Sequence, residues 1–357
     1  MPTTYAIPNG ATAFAATTYT GNGAYPTTIT NGGNNTLGTT FQPDFVWVKS
    51  RSTTYDHILY DSVRGTGTGA SLVSNSTSAE GADAIYANLT AYVSNGFTVG
   101  SVSAGTNILN QSGQTFVGWQ WKAGGTSSSN TNGSITSTVS VNATAGFSVV
   151  TYTGNGTTGA TIGHGLNAVP YMMITKRRST TSDWGVYHQV LGNTNYLLLD
   201  TTAASTAGSN VWNNTSPTST VFTVGNASFT NTSTDTFVAY CWAQIPGYSK
   251  FGSYTGNSSA DGTFVYLGFR PRYLLLKNTT TAGYDWFVLD SSRNTYNVTN
   301  NYLYPDLSNA EGSSYTVCDF LSNGIKFRDS RTDWNGSSNT YIYAAFAENP
   351  FKYANAR

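Results

Sequence analysis

Two columns of mostly acidic residues, at matching places along the chain, are the first candidates for chemistry. The first column stands just before a strand-like segment and consists of Asp56, Asp183 and Asp285. The second lies five residues further on and consists of Asp61, His188 and Asp290. Paired carboxylates could act as general acid and base, oxygen ligands could hold calcium, and aspartates could hydrogen-bond a sugar. We favour a fourth interpretation, in which the first aspartate accepts backbone N–H bonds in a turn, because a catalytic pair would not be needed three times.

Sequence motifs of enzymes and metal sites are missing from the chain. The histidines, His57, His164 and His188, share no metal-binding spacing, and there is no His-Glu-x-x-His or Cys-x-x-Cys motif. There is also no Gly-x-Ser-x-Gly nucleophile motif, and the glycines at 65, 67 and 69 lack the spacing of a nucleotide-binding loop. The sequence therefore predicts a protein that is not an enzyme and that uses no metal and no cofactor.

The aromatic residues fall into two groups with different expected roles. Three of them occupy the same place in three similar segments, which predicts equivalent core positions: Trp121, Trp242 and Phe346. Three others lie in loop-like stretches that do not repeat: Trp212, Trp334 and Tyr25. Aromatic side chains in loops suit stacking against sugar rings, and both tryptophans are flanked by amide side chains. These three are therefore the predicted ligand-binding residues. The alternative is a loop tryptophan that lies over its own domain.

One pattern of landmarks occurs three times in the same order. Each copy opens on Tyr-Thr-Gly-Asn, continues with a proline-led apolar strand that ends in lysine, and closes on an aromatic strand rich in small residues. The opening tyrosines are Tyr19, Tyr152 and Tyr254, and the closing strands are 115–121, 236–242 and 340–346. Each copy spans about 90 to 100 residues, which is too long for a solenoid or propeller unit and long enough for a small core.

The local patterns within each copy are those of antiparallel β-structure. Thr, Tyr, Val, Phe and Trp are plentiful, which suits a pleated surface. Asn-Gly at 95–96 and at 323–324 predicts two hairpins, and no window carries a helical stripe of apolar residues. The sequence therefore predicts an all-β protein of three tandem antiparallel β-sandwich units.

The unit boundaries follow from the landmarks and from one stretch of low complexity. The predicted divisions are an N-terminal arm at 1–13, the first unit at 14–121, a linker rich in Gly, Ser, Thr and Asn at 122–145, the second unit at 146–245, the third unit at 246–352 and a C-terminal tail at 353–357. Within the linker, Ile135, Val139 and Val141 lie on one face, which indicates an added edge strand.

The composition excludes several kinds of partner. Charged residues make up 10% of the chain and the net charge is zero, whereas a nucleic-acid-binding protein carries a basic patch. No apolar run is long enough to cross a bilayer, and the N-terminus lacks a signal-peptide pattern, so synthesis in a cytoplasm is expected. Cys241 and Cys318 occupy different places in their copies and are predicted to be free buried thiols.

Several segments are distinctive beyond these landmarks. They are 14–23 (FAATTYTGNG), 41–51 (FQPDFVWVKSR), 61–65 (DSVRG), 144–152 (TAGFSVVTY), 163–166 (GHGL) and 345–351 (AFAENPF). Together they resemble a repeated domain of tailed bacteriophages, especially marine ones. The resemblance covers most of the chain, and the third copy diverges most, because it lacks the second glycine of the opening motif and the Gly-His-Gly turn. It implies a virion structural protein with jelly-roll or lectin-like sandwiches and carries over no catalytic residue.

Two functions follow from the resemblance and the loop aromatics. The first is a non-enzymatic virion protein exposed on the particle, associated with the tail or its fibres, that adheres to host surface glycans. The alternative is a decoration protein of the capsid or tail that binds only other virion proteins. The expected partners are therefore other virion proteins, further copies of this chain and host glycans. The expected location is the virion, assembled in the host cytoplasm, without nucleic-acid binding or membrane insertion.

Overall fold

The computed structural model describes residues 6–32, 40–82, 87–102, 105 and 107–347. Strands make up 41% of the chain and helices 4%, so the predicted all-β class is confirmed. The helical pieces are α1 (Ser209–Trp212), α2 (Ser228–Asn231) and 3-10 turns at Gly10–Thr12 and Thr68–Ala70. Among the described residues, no helix has the length and apolar character needed to cross a membrane.

The strands follow one another at short intervals along the chain. The first ten are β1 (Phe14–Thr20), β2 (Thr27–Thr30), β3 (Phe45–Ser50), β4 (Ile58–Asp61), β5 (Leu72–Val73), β6 (Leu89–Val93), β7 (Gly96–Val99), β8 (Thr115–Trp121), β9 (Ser128–Asn130) and β10 (Ser137–Asn142). The next eight are β11 (Phe147–Thr153), β12 (Ala160–Gly163), β13 (Pro170–Arg177), β14 (Trp184–His188), β15 (Asn195–Leu198), β16 (Thr206–Ala207), β17 (Val221–Val224) and β18 (Thr236–Ala243). The last are β19 (Ser249–Thr255), β20 (Phe264–Tyr266), β21 (Pro271–Asn278), β22 (Trp286–Asp290), β23 (Cys318–Leu321), β24 (Gly324–Phe327) and β25 (Thr340–Ala347).

Three large sheets share one order of strands. The first large sheet is β1-β8-β3-β4-β5, the second is β16-β15-β14-β13-β18-β11-β10-β9, and the third is β19-β25-β21-β22. In each sheet the aromatic closing strand (β8, β18 or β25) lies between the opening strand and the proline-led strand. The pairings are antiparallel, and the opening tyrosines occupy matching positions: Tyr19 opposite Phe116, Tyr152 opposite Phe237 and Tyr254 opposite Tyr341.

Each large sheet is covered on one face by a small sheet. The small sheets are β2-β7-β6, β12-β17 and β20-β24-β23. Apolar residues of the first large sheet, such as Val46 and Val48, pack with Phe97 and Val99 of the first small sheet in one cluster. The two predicted hairpins are confirmed, because β6 pairs with β7 and β23 with β24 through tight turns at the Asn-Gly positions. These layers are sandwiches held together by side-chain burial.

The opposite faces of the three large sheets meet in one shared core. Its centre contains Trp121, Trp242 and Phe346, which are all buried. The ring centroid of Trp121 lies 6.1 Å from that of Trp242 and 5.6 Å from that of Phe346. The predicted burial of these residues is therefore confirmed, but they pack against one another between sheets rather than inside separate sandwiches. The boundaries of the three units stay a prediction.

The segment 122–145 was predicted as a linker, and part of it is regular structure. Strand β10 pairs with β11 along its whole length, from Ser137 opposite Tyr152 to Asn142 opposite Phe147, and β9 pairs with the outer edge of β10. The indicated added strand is therefore present, but it is not the edge of the sheet, because β9 lies outside it. The composition concealed it because an antiparallel sheet can expose one face to water, so a strand with many polar residues resembles a linker.

Replacing a central aromatic residue should destabilise the whole protein. Trp242→Ala removes a large buried side chain that the surrounding sheets cannot fully replace, so the free energy of unfolding should fall by about 3–5 kcal/mol. Urea denaturation followed by circular dichroism measures this change. Tyr296→Ala is the control, because that ring is 83% exposed. Equal stability of the two variants would contradict a shared aromatic core.

Candidate functional site

The two predicted ligand-binding tryptophans are not accessible, and that prediction is wrong for both. Trp212 is 1% exposed and Trp334 is 0% exposed. Trp212 lies in α1 and packs edge-on against Tyr187, with ring centroids 5.7 Å apart. Trp334 packs edge-on against Phe287 at 5.2 Å. Each tryptophan closes the core beneath its own loop, which was the alternative interpretation, because a large apolar ring gains more from burial than from exposure.

Tyr25, the third predicted ligand-binding residue, lies apart from both tryptophans. It is half-buried and packs against the cluster between the first large and first small sheets. Its hydroxyl group is shielded from solvent. Burial raises the pKa of this phenol above its ordinary value. The structure therefore does not bring the three predicted residues together into one site.

Three matching clusters of buried and half-buried polar residues lie at the turns before β4, β14 and β22. Each combines the lysine that ends a proline-led strand, the first-column aspartate and an Asn or Asp from further along the chain. The clusters are Lys49, Asp56 and Asn75; Lys176, Asp183 and Asp200; and Lys277, Asp285 and Asp306. All three lysines are buried. Buried polar groups in such numbers require partners.

The hydrogen bonds of the three clusters correspond to one another. The third member accepts the backbone N–H of the first residue after the aspartate, over 2.8 Å to Asn75, 3.0 Å to Asp200 and 3.1 Å to Asp306. The lysine ammonium groups donate to backbone carbonyls, as Lys49 does to Ser50 over 2.8 Å and to Thr53 in the turn over 3.3 Å. In the first cluster the Asn75 amide also donates to Asp56 over 2.7 Å. These bonds fix the turns that lead into the second strand of each pair.

Burial shifts the ionisation of these groups strongly. Desolvation lowers the pKa of Lys49 to about 7 and those of Lys176 and Lys277 to about 8, although nearby aspartates oppose the shift. Desolvation, together with the charge of Asp285, raises the pKa of Asp306 to about 8. Low polarity disfavours the charged form of both kinds of group. A lysine faces two carboxyl groups in the second and third clusters. Of these two, the third has the aspartate with the more strongly raised pKa.

The turn bonds that we predicted for the first-column aspartates are made by the second column. Asp61 accepts the backbone N–H groups of Val63 and Arg64 over 3.1 and 2.9 Å. Asp290 accepts those of Ser292 and Arg293 over 3.0 and 2.9 Å. The same carboxylates also bind residues of a neighbouring sheet. The second column therefore marks the contacts between sheets, which we call junctions.

The first junction joins the first and second large sheets through a buried ionic network. The hydroxyl of Tyr240 donates to Asp61 over 2.8 Å, and Arg64 forms an ion pair with the same carboxylate. Arg64 also contacts Glu80 at 2.7 Å. On its other side, Glu80 pairs with Arg178 at 2.7 Å. One chain of charge-assisted bonds thus crosses from sheet to sheet.

The second junction repeats this network between the third and first large sheets. The indole N–H of Trp119 donates to Asp290 over 3.0 Å, and Arg293 pairs with Asp290 at 2.6 Å. Arg293 also contacts Glu311 at 2.9 Å, which pairs with Arg51 at 2.7 Å. The positions match those of the first junction one for one.

The third junction, between the second and third large sheets, is neutral. His188 takes the place of the second-column aspartate, and its Nε2 donates to the carbonyl of Tyr343 over 3.2 Å. Burial lowers the pKa of His188 to about 4, so the ring is uncharged at neutral pH. Ala344 occupies the strand position that Tyr240 holds at the first junction and Trp119 at the second, so no side chain donates there. The backbone N–H of Ser205 donates to the carbonyl of Thr279 over 3.0 Å. This bond corresponds to the one from Glu80 to Arg178 at the first junction and from Glu311 to Arg51 at the second.

Together the three junctions form a closed ring. The second sheet binds the first through Asp61, the first binds the third through Asp290, and the second binds the third through His188. Each contact joins unlike surfaces, and such heterologous contacts form a closed ring when their rotations add up to a full turn, which here takes three steps. Buried polar side chains therefore hold the sheets together, with ion pairs at two junctions and a neutral histidine at the third.

Sequence reasoning found one part of these sites and missed another. The three lysines recur at one strand position, and a lysine that repeats inside an apolar strand is itself a signal of a buried, bonded ammonium group. Asn75, Asp200 and Asp306 carry no local signal, because their distance from the aspartate differs in each copy. Cys241 and Cys318 are free and buried, as predicted, and no cluster of metal-ligating side chains occurs among the described residues.

Breaking an ionic junction should be costly, whereas breaking an exposed ion pair should not. Asp61→Ala leaves Arg64 buried without its main partner, so the free energy of unfolding should fall by about 3–5 kcal/mol. The matched control is Asp235→Ala, which removes the partly exposed pair with Arg177 and should cost about 0–1 kcal/mol. Urea denaturation at pH 7 compares them, and a similar loss in both variants would refute the junction's role.

The third cluster predicts a specific dependence of stability on pH. The raised pKa of Asp306 means that the folded protein holds a proton that the unfolded chain has released above about pH 4. Stability from this group is thus complete below pH 4 and is lost as the pH rises towards 8. Asp306→Asn, which copies Asn75 of the first cluster, removes this loss. Relative to the unmodified protein, the variant should gain at least about 1 kcal/mol between pH 5 and pH 7.5.

Chemical denaturation at the two pH values measures the gain. Asp235→Asn serves as its control, since hydrogen bonds from Ser179 and Arg177 lower the pKa of Asp235. That control should therefore show no gain as the pH rises. An Asp306→Asn variant whose stability ran parallel to that of the unmodified protein across this range would show that Asp306 is ionised in the fold.

Comparisons with known proteins place the chain in a family without assigning it an activity. No curated protein matches the chain. One family model, described as a domain of unknown function, matches residues 9–350. This match includes all three large sheets and all three junctions. The chain therefore belongs to the DUF7483 family.

Proposed function

We propose that this protein is a non-enzymatic structural component of a tailed-phage particle that packs against other virion proteins. The observation that carries the proposal is the closed ring of three junctions around one aromatic core. Most of the residues that could do chemistry lie buried or half-buried in these junctions and clusters, bonded to groups of neighbouring strands and sheets. Such an arrangement uses charge to build a rigid body rather than to bind a substrate.

The ring also has a consequence for assembly. Three similar sheets related by repeated contacts present similar outer surfaces several times on one chain. A partner with repeated binding positions can therefore engage more than one of them, and linked weak contacts raise the overall affinity by orders of magnitude. A net charge of zero removes the long-range repulsion that would keep many copies apart. Both features favour other virion proteins and further copies of this chain as partners.

The phage context comes from the resemblance of the repeated segments, and the structure supplies the reason for preferring assembly over adhesion. Adhesion was expected through Trp212 and Trp334, and both are buried. A decoration or scaffold role needs no such residues. We therefore put assembly first and treat adhesion separately, on other residues.

The test of the proposed function is the location of the protein. Particles of the virus that encodes it, purified on a density gradient, should contain the protein by mass spectrometry, and immunogold labelling should place it on intact particles. Analytical ultracentrifugation of the purified protein should show self-association at micromolar concentration. A protein confined to the soluble lysate, and monomeric in the ultracentrifuge, would overturn the proposal.

A further inference from the structure

Among the residues that the structure describes, the exposed aromatic side chains all lie in the last third of the chain. The chain has 8 Trp, 24 Tyr and 17 Phe, and almost all that the structure describes are buried or half-buried. The exposed ones among the described residues are Phe264, Tyr266 and Tyr296, at 43%, 59% and 83% exposure. Val298, also exposed, lies beside Tyr296. A group of exposed apolar side chains on an otherwise polar surface marks a binding region.

The fold does not require aromatic residues at two of these positions. Strands β2, β12 and β20 are equivalent, since each places one aliphatic residue inward: Ile29 opposite Phe97, Ile162 opposite Phe222 and Val265 opposite Ile325. The positions on either side of it hold Thr28 and Thr30 in β2, Thr161 and Gly163 in β12, and Phe264 and Tyr266 in β20. Two of the three sheets therefore fold with small residues there, so the rings of β20 serve another purpose.

The two rings of β20 are held in fixed positions. Phe264 lies against Gly324 of the neighbouring strand, where an added Cβ would come within 3.0 Å of the ring. Lys250 donates to the Tyr266 carbonyl over 2.6 Å, and its ammonium group lies 5.1 Å from the centre of the Tyr266 ring. Alternate residues of a strand lie about 7 Å apart, so the two rings stand side by side on one face of β20.

A groove of about 510 Å³ lies beside the same small sheet. It is lined by Arg270, Thr295, Tyr296, Asn297 and Phe320. The Asn297 amide exchanges two bonds with the Phe320 backbone, at 3.2 and 2.9 Å, and Arg270 donates to the same carbonyl over 3.3 Å. Arg270 also follows Tyr266 by only four residues, which links the groove to strand β20. The walls combine one exposed ring with amide, hydroxyl and guanidinium groups.

We propose that strand β20 and this groove form a binding surface for a carbohydrate chain. Sugar rings have apolar faces and hydroxyl edges, and the region offers both matching partners. Phe264, Tyr266 and Tyr296 supply flat apolar faces at little cost in conformational entropy. Asn297 and Thr295 supply hydrogen-bond donors and acceptors. In this proposal the exposed rings make the glycan contacts that the sequence had assigned to the buried Trp212 and Trp334.

A protein partner would leave a different pattern. Hot spots of protein interfaces cluster in a desolvated centre with a rim around it. Here the rings stand separately along a strand and a loop, and polar groups line the space next to Tyr296. This spread of stacking faces and polar groups suits an extended, hydroxyl-rich ligand.

The test compares the protein with a variant that copies the other two sheets. Phe264→Thr together with Tyr266→Thr restores the residues of β2 and should leave the circular dichroism spectrum unchanged. The probes are an array of purified bacterial surface polysaccharides, together with dextran as a neutral polysaccharide and alginate as an acidic one. The unmodified protein should bind at least one probe, the double variant at least tenfold more weakly, and Tyr296→Ala should also weaken binding. Comparing binding to dextran with binding to alginate shows whether the protein prefers a neutral or an acidic sugar chain.

Val190→Thr is the control, because that exposed side chain lies between β14 and β15 of the second large sheet and is not part of the proposed surface, so its loss should leave binding intact. Absence of binding to every probe, or equal binding by the folded double variant, would overturn the proposal. Loss of binding to a purified virion protein instead of a sugar would also overturn it. The outcome is independent of the proposed function, since the double variant should still enter particles.

Discussion

The structure depends on the way in which three sheets satisfy the polar groups that they bury against one another. An aromatic core alone would let the sheets slide, since burial of apolar area has no direction. The carboxylates of Asp61 and Asp290 remove that freedom, because each accepts turn N–H groups from its own sheet and a donor from the next. The core supplies the driving force, and the junctions supply the geometry.

The difference between the junctions shows how such a network can be replaced. A buried ion pair is costly to desolvate, and a neutral arrangement of similar shape can serve equally well. At the third junction all three positions differ: His188 stands in place of the aspartate, Leu191, three residues further on, in place of the arginine, and Ala344 in place of the donor side chain. A single exchange would have left a buried charge without a partner. The joint change is what physical chemistry demands of a network that acts as a unit.

The class of fold could be predicted from the sequence, because alternation, turn residues and repeated landmarks are local signals. The burial of Trp121, Trp242 and Phe346 could be predicted too, since repetition at one strand position indicates core. Their shared location could not, because nothing local says which sheets face each other. For the same reason Trp212 and Trp334 were misplaced: a polar loop sequence does not reveal that its tryptophan turns inward. The exposed Phe264 and Tyr266 were missed because a short alternating strand does not say which face is solvated.

The ring also bears on how the molecule could diversify. Three separate, identical chains assembled about an axis must carry the same residue at every contact and on every outer face. Here the three sheets share one polypeptide, so each copy of a position is encoded separately and can change without the others. One junction carries neutral groups where the other two carry ions, and one small sheet carries aromatic rings where the other two carry threonine or glycine. Covalent linkage therefore frees a symmetric architecture from symmetric chemistry, and a single copy can specialise while its neighbours preserve the scaffold.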